Sequence, residues 1–168
     1  MRAYLDIETT FSGGISVIGI YRPDSGTTQL VGGGVSDMNL YEALVGVTTI
    51  ITFSGSSFDL PVIRKRLAAD LRSEFDHRDL RYVCSRRGLR GGLKVIEQIL
   101  GIGRDTAGIS GYDAPRLWDR YEVRGQQAAL DTLLAYNYED VVNLAVLEAI
   151  LDDAPAAQIT PSVRVLMK

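Results

Sequence analysis

The run Tyr4-Leu5-Asp6-Ile7-Glu8 sets two carboxylates two residues apart in an apolar stretch. Side chains alternate between the faces of a strand, so Asp6 and Glu8 share one face and Leu5 and Ile7 the other. Like charges roughly 6–7 Å apart along a strand repel unless a cation or water lies between them. Taken alone, the pair also fits a strand end fraying into solvent. Asp140 is more informative. Leu133, Asn137, Asp140, Leu144, Leu147 and Leu151 follow one stripe at helical spacing, with Leu134, Val141 and Ala145 alongside. The carboxylate therefore lies within an apolar helix face, where it needs a partner or must protonate. Tyr136 stands one turn earlier on the same side. A buried Asp bonded to a backbone amide is the simpler alternative. Asp59 follows Phe58 and the small-residue turn Ser54-Gly55-Ser56-Ser57. By itself it reads as an N-cap or first-turn acid favoured by the helix dipole.

Together these acids mean more than separately. Three segments each deliver carboxylate, and with one histidine (His77) and one cysteine (Cys84) no nitrogen or sulfur ligand set competes. Oxygen-only ligands suit hard cations such as Mg²⁺ or Mn²⁺. Four carboxylates with two such ions roughly 3.5–4 Å apart would make a site for in-line phosphoryl displacement.

The elements that must position these residues follow from pattern. Residues 3–7 and 15–21 read as strands with a third at 29–31, and Ser12-Gly13-Gly14 and Asp24-Ser25-Gly26 mark the turns. Ser36 and Asp37 offer N-caps for a short helix, and 48–53 is a β-branched run suited to a buried strand. A helix over 59–71 carries Leu60, Ile63, Leu67 and Leu71, with Pro61 in its first turn. Helices over 80–87 and 93–100 follow, then a glycine-rich loop at 101–113, a short helix over 115–121 and a long one over 126–151. Strands first, then a strand and helices, predict an α/β fold: a mixed sheet covered by helices. The chain divides into one domain, 1–151, and a peripheral C-terminal tail, 152–168.

Composition sets the bounds. The 168 residues are 46% hydrophobic and 23% charged, near the globular average and far from disorder. A lone cysteine fits a reducing compartment. No apolar run approaches the roughly 20 residues of a membrane span, and no cleavable signal fits before the first strand, so the expectation is a soluble, cytoplasmic protein. The net charge is −3, but eleven of the 18 Lys and Arg residues fall within 64–104 beside five acids, so this segment carries +6 and the remainder −9. Such a basic sector fits a phosphate-tracking surface, or equally a pair of solvated helices.

The motifs Asp6-Ile7-Glu8-Thr9-Thr10, Ser57-Phe58-Asp59 and Tyr136-x-x-x-Asp140 resemble the three motifs of the DEDD exonuclease superfamily in its tyrosine variant. Leu93-Lys94, Glu97, Leu100-Gly101, Arg104, Gly111 and Tyr136-Asn137 extend the likeness to YprB-type nucleases of the ribonuclease H-like fold. The resemblance spans residues 4–147. It implies a five-stranded sheet of order 3-2-1-4-5, with Asp6 and Glu8 on the central strand and Asp140 on a helix crossing it. It implies Asp6, Glu8, Asp59 and Asp140 as ligands of two Mg²⁺ or Mn²⁺ ions, and Tyr136 as the group that orients the attacking water. The activity implied is stepwise release of nucleoside 5′-monophosphates from the 3′ end of DNA or RNA, single-stranded in expectation, alone or with a larger nucleic-acid-processing protein. Thr9, Thr10 and Phe58, beside the carboxylates, would contact the nucleic acid. Ser54 departs from the pattern, where such relatives often carry Asn, and Ala135 excludes the histidine variant.

Among the basic residues, Arg86, Arg87, Arg90, Lys94 and Arg104 are the expected phosphate contacts. Lys94 follows the Gly91-Gly92 turn at a helix start, and Arg104 has Glu97 or Asp105 as alternative partners. Asp79 is either a further site acid or an N-cap. Two rival functions stay open beside an endonuclease on the same fold. One is a haloacid-dehalogenase-type phosphatase, because Asp6-x-Glu8-x-Thr10 approximates its start, although no downstream Lys and acidic pair can be placed. The other is a domain that binds nucleic acid without cleaving it.

Overall fold

The computed structural model describes residues 1–152 and 163–167. Strand β1 (Arg2–Thr9) pairs antiparallel with β2 (Ile15–Arg22), which pairs antiparallel with β3 (Gly26–Val31). After α1 (Asp37–Ala43), strand β4 (Thr49–Thr52) returns parallel to β1 on its other side. Ser36 caps α1 as expected, its hydroxyl accepting from the Asn39 amide. Next come α2 (Asp59–Leu67) and α3 (Leu71–Glu74), because Ala68, in the left-handed region at φ 54°, ends the helix expected to run to 71. Strand β5 (Asp76–Asp79) then adds parallel to β4. The remaining helices are α4 (Leu80–Arg86), α5 (Leu93–Leu100), α6 (Ala114–Arg124) and α7 (Gln127–Leu151).

The expected order 3-2-1-4-5 describes five strands of the sheet, and one correction extends it. A sixth strand, β6 (Val163–Met167), lies parallel to β3, so the full order is β5-β4-β1-β2-β3-β6. It falls in the stretch read as a peripheral tail. Its main chain finds ladder partners on β3 that a short run near a chain end gives little reason to expect. The fifth strand, too, carries no pattern of its own. Asp76-His77-Arg78-Asp79 is wholly polar, and only its place beside buried β4 makes it a strand.

The sheet is covered on both faces. On one, Leu40 of α1 with Leu44 just after it, Leu60 and Ile63 of α2 and Leu71 of α3 pack against Ala3, Leu5 and Ile7. On the other, α7 packs with α4 and α5 over Tyr4, Tyr21 and Ile51, and with α6 over Val17 and Val31. Burial from both sides explains why β1 and β2 read as near-continuous apolar runs. Among the described residues no helix is long and apolar enough to cross a membrane.

Candidate active site

Alternation along β1 turns Asp6 and Glu8 toward α7. Tyr4 packs in the α7 cluster, whereas Leu5 and Ile7 pack against α1 to α3. Asp140, on the sheet-facing side of α7, meets them there. One carboxylate oxygen each from Asp6, Glu8 and Asp140 lies within 4.8 Å of the other two. Asp59 opens α2 and is 3% exposed, its Oδ1 accepting from the Ile7 amide at 3.0 Å. All four line one cleft of about 290 Å³, together with Thr9, Ser54, Phe58, Gly111 and Tyr136. The cleft opens beyond the carboxyl end of β1, the usual place for a ligand in an α/β sheet.

Crowding and burial leave these acids reluctant to ionise together. Burial, then the Asp140 and Glu8 charges, hold Asp6 well above the usual carboxylate range. Burial and Asp140 do the same to Glu8. Asp59 is pushed up to about 7 by burial, against the pull of the Ile7 amide. Burial raises Asp140 as well, although Lys94 and Arg104 draw it back. Glu8 is 5% exposed, and its Oε1 is buried without a hydrogen-bond partner among the described residues. A buried carboxylate oxygen without a donor is costly. Oxygen donors that converge and lack counter-charge fit a divalent cation.

Two cations answer in part. Lys94, on the first turn of α5, bonds the Tyr136 hydroxyl, lies 4.1 Å over the Tyr136 ring and comes within 3.8 Å of Asp140. Arg104 pairs with Asp140 and with buried Glu97, at 2.9 Å to the latter. Of its expected acidic partners Arg104 therefore takes Glu97, and it also reaches Asp140. Tyr136 is buried one turn from Asp140, and burial with the surrounding acids keeps its hydroxyl protonated, far above its ordinary value.

The other expected contacts divide by position. Thr9 and Phe58 line the cleft. Thr10 instead stitches the β1–β2 turn, its hydroxyl accepting from the Gly14 amide. Arg86, Arg87 and Arg90 are exposed at or beyond the end of α4 and do not line the cleft. Arg87 lies instead near Asp152, whose carboxyl is held low mainly by Arg78 and more weakly by Arg87.

Several residues support the site without being among the expected ligands. Asn137 donates to the Asp6 carboxylate at 3.2 Å and accepts from Gln29, so it orients the central acid. It fits only because Gly19, opposite Asp6 on β2, has no side chain: a Cβ there would stand 2.2 Å from Asn137 Oδ1. Asp79 is the N-cap of α4 and also accepts from the Ser54 and Ser56 amides. It thereby holds Ser54 at φ 67°, a strained conformation for a non-glycine residue. Glu139 holds the 101–113 loop through the Asp105 and Thr106 amides. The sequence signal for Asn137 was its place on the apolar stripe of the last helix, one turn before Asp140.

Comparison with known proteins agrees with this fold. The family description RNase H superfamily matches residues 3–151. In fold the chain is similar to the family B DNA polymerase from the hyperthermophilic archaeon Pyrobaculum calidifontis, with a TM-score of 0.64 and 16% identity, covering 89% of this chain and 24% of that one. The chain thus spans about a quarter of that polymerase's length. Among curated proteins no sequence matches. With the family match running from the first strand to the end of α7, this chain belongs to the RNase H superfamily.

Proposed function

We propose that this protein is a metal-dependent 3′–5′ exonuclease that hydrolyses phosphodiester bonds of DNA or RNA and releases nucleoside 5′-monophosphates. One observation carries the reading: carboxylates from β1, α2 and α7 meet in one cleft with less positive charge than they need. Asp6, Glu8, Asp59 and Asp140 are the proposed holders of two Mg²⁺ or Mn²⁺ ions. Bound there, such ions would stabilise charge on the phosphoryl oxygens and ease deprotonation of water.

The chain's own groups do the rest. Tyr136, kept protonated, donates its hydroxyl to hold the attacking water in line, a role for which it need not ionise. Glu8 Oε1, without another partner among the described residues, accepts a hydrogen bond from that water. Water oxygen bonds to phosphorus as the P–O3′ bond breaks; the water gives up one proton to solvent and the leaving 3′ oxygen takes one up, so the products are a nucleoside 5′-monophosphate and a 3′-hydroxyl. Lys94 and Arg104 stand where a phosphate would sit beside Asp140, and Thr9 and Phe58 face the terminal nucleotide. Cys84 is buried and free, which supports a reducing, cytoplasmic setting. The similarity to a polymerase supports a role beside a larger nucleic-acid-processing protein.

End-labelled single- and double-stranded DNA and RNA, incubated with the protein in Mg²⁺ and in Mn²⁺, test this. The expected result is cation-dependent, stepwise release of 5′-monophosphates from the 3′ end. Internal cuts in a 3′-blocked substrate would make the protein an endonuclease, and binding without cleavage would make it a recognition domain.

A further inference from the structure

A second cleft, of about 400 Å³, lies on the opposite side of the sheet from α7, between α2 and α3. Leu60 and Pro61 form its apolar wall, and Arg64, Lys65, Asp70 and Arg72 its charged one. Asp70 is engaged with Arg64 at 3.3 Å, so one carboxylate faces three cations. Its sign is thus opposite to that of the carboxylate cleft. The two are neighbours. Asp59 lines the first, Leu60 and Pro61 line the second, and the first turn of α2 is the wall between them. Arg72 ties the wall in place, donating to the Ser56 carbonyl in the loop whose Ser54 and Phe58 face the carboxylates. Phe58, on the ridge, is 47% exposed although aromatic.

We infer that this cleft is a remote phosphate-binding subsite. A single strand whose 3′ end lies among the carboxylates crosses the ridge at Phe58, and its upstream phosphates are held by Arg64, Lys65 and Arg72. This rests on the nuclease reading above. A helical turn is about 5.4 Å long, so the wall is crossed within a few nucleotides. An exposed aromatic ring between two phosphate-holding regions offers a base its stacking face, the arrangement that single-stranded nucleic acid uses. Duplex has no unpaired base to place there.

The test is fluorescence anisotropy of the full chain with single-stranded DNA and RNA oligonucleotides ending in a cleavage-resistant phosphorothioate, across salt, in Mn²⁺. Lengths from about two to about ten nucleotides span the site sizes of single-strand binders. Affinity should rise with length in the wild type. Arg64→Gln with Lys65→Gln should remove most of that rise and flatten the salt slope by about 1.4, or about 0.7 for each single-strand phosphate that is no longer neutralised. Arg72→Gln also frees the Ser56 loop, so it is read separately, with its melting temperature as the check on folding. A double variant with wild-type slope and length dependence overturns the inference even if the protein cleaves nucleic acid. Binding that follows this pattern without any cleavage sustains the cleft and removes the nuclease reading. No binding by the wild type removes both, and equal capture of an acidic peptide reassigns the cleft and overturns the inference.

Discussion

Asp140 and Glu148 lie two turns apart on α7, both buried and both turned toward the sheet, yet their surroundings are opposite. Glu148 accepts from the Tyr4 hydroxyl at 2.7 Å, from Arg2 at 3.1 Å and from Arg78 at 2.7 Å. Every oxygen has a donor and the charge is matched. Burial and then Glu148 hold the Tyr4 hydroxyl protonated, far above its ordinary value, and Arg78 also clasps Asp152. Asp140 instead sits with Asp6, Glu8 and Asp59 and, through Arg104, with Glu97 and Glu139, so six carboxylates face Lys94 and Arg104. The contrast separates a buried acid completed by its own protein from one left for something else to complete. Burial alone does not mark a site. A buried acid short of counter-charge does.

The sharpest way to break this contrast is to neutralise each acid in turn. At about 100 times its Kd, Mn²⁺ should stabilise the wild type by about 2.7 kcal/mol, a rise in Tm of about 5–10 °C for a chain of this size. Asp140→Asn should erase that rise and cleavage together, while leaving the metal-free protein as stable as wild type or more so, because a repelling charge has gone. Glu148→Gln should do the reverse. It should keep the Mn²⁺ response but lower Tm by about 6–12 °C with or without metal, since breaking a buried pair costs about 3 kcal/mol where the arginines keep some solvent. Thermal melts of both variants decide it. Equal Mn²⁺ shifts in wild type and Asp140→Asn would remove the distinction between the two ends of α7.

Tyr136 sharpens the same comparison within the site. Tyr4 and Tyr136 are both buried tyrosines held protonated beside α7 acids, but only Tyr136 lines the carboxylate cleft. Tyr136→Phe keeps the ring over which Lys94 lies and removes the hydroxyl. Cleavage should slow by about 10²-fold, the scale of a positioned acid–base group, which is about 2.7 kcal/mol of barrier. The Mn²⁺ shift in Tm should stay. Single-turnover rates and melts check both, and a wild-type rate makes the tyrosine a packing residue like Tyr4.

How much of this was legible depends on what the signal was made of. Asp140 could be read because helical period set a charge within an apolar face, whereas for Asp6 and Glu8 period two gave only a shared strand face, which a fraying strand end fits as well. Asp59 could be read only in company, since a first-turn acid is ordinary. The strands β5 and β6 could not, because one is four polar residues and the other a short run, and both exist through their neighbours. Arg104 was half legible. Its partner Glu97 is seven residues away and was named, but its pairing with Asp140 depends on how the 101–113 loop folds back over α7, held by Glu139. The basic sector was legible as a quantity and not as a surface. Its charges divide among the Glu148 end, the far end of α4, the carboxylate cleft and the cleft between α2 and α3.

The smallest expected effect is on pH dependence, and it follows from the raised carboxyls. Burial and crowding lift Asp6, Glu8 and Asp140 above their usual range and Asp59 to about 7. Below the ordinary carboxylate value, about 4, folded and unfolded chains are both protonated at these positions and the site costs nothing. As pH rises from there toward 7 the unfolded chain releases protons that the folded one retains. The unfolded state then binds fewer protons, so these groups make stability fall with pH over this window. Once the folded carboxyls have also ionised, the decline from them ends and the repulsion is fully expressed. Divalent cation should cancel it, because the ionised form is the one that binds, and Mn²⁺ stabilisation should therefore grow as pH rises from about 5 to about 7. Melts at a series of pH values, with chelator and with Mn²⁺, measure the two curves. Asp140→Asn, with one acid fewer, should fall less steeply in chelator, whereas Glu148→Gln should keep the wild-type difference between the curves. Parallel curves with and without Mn²⁺ would mean that the four acids are satisfied as Glu148 is, by the protein itself.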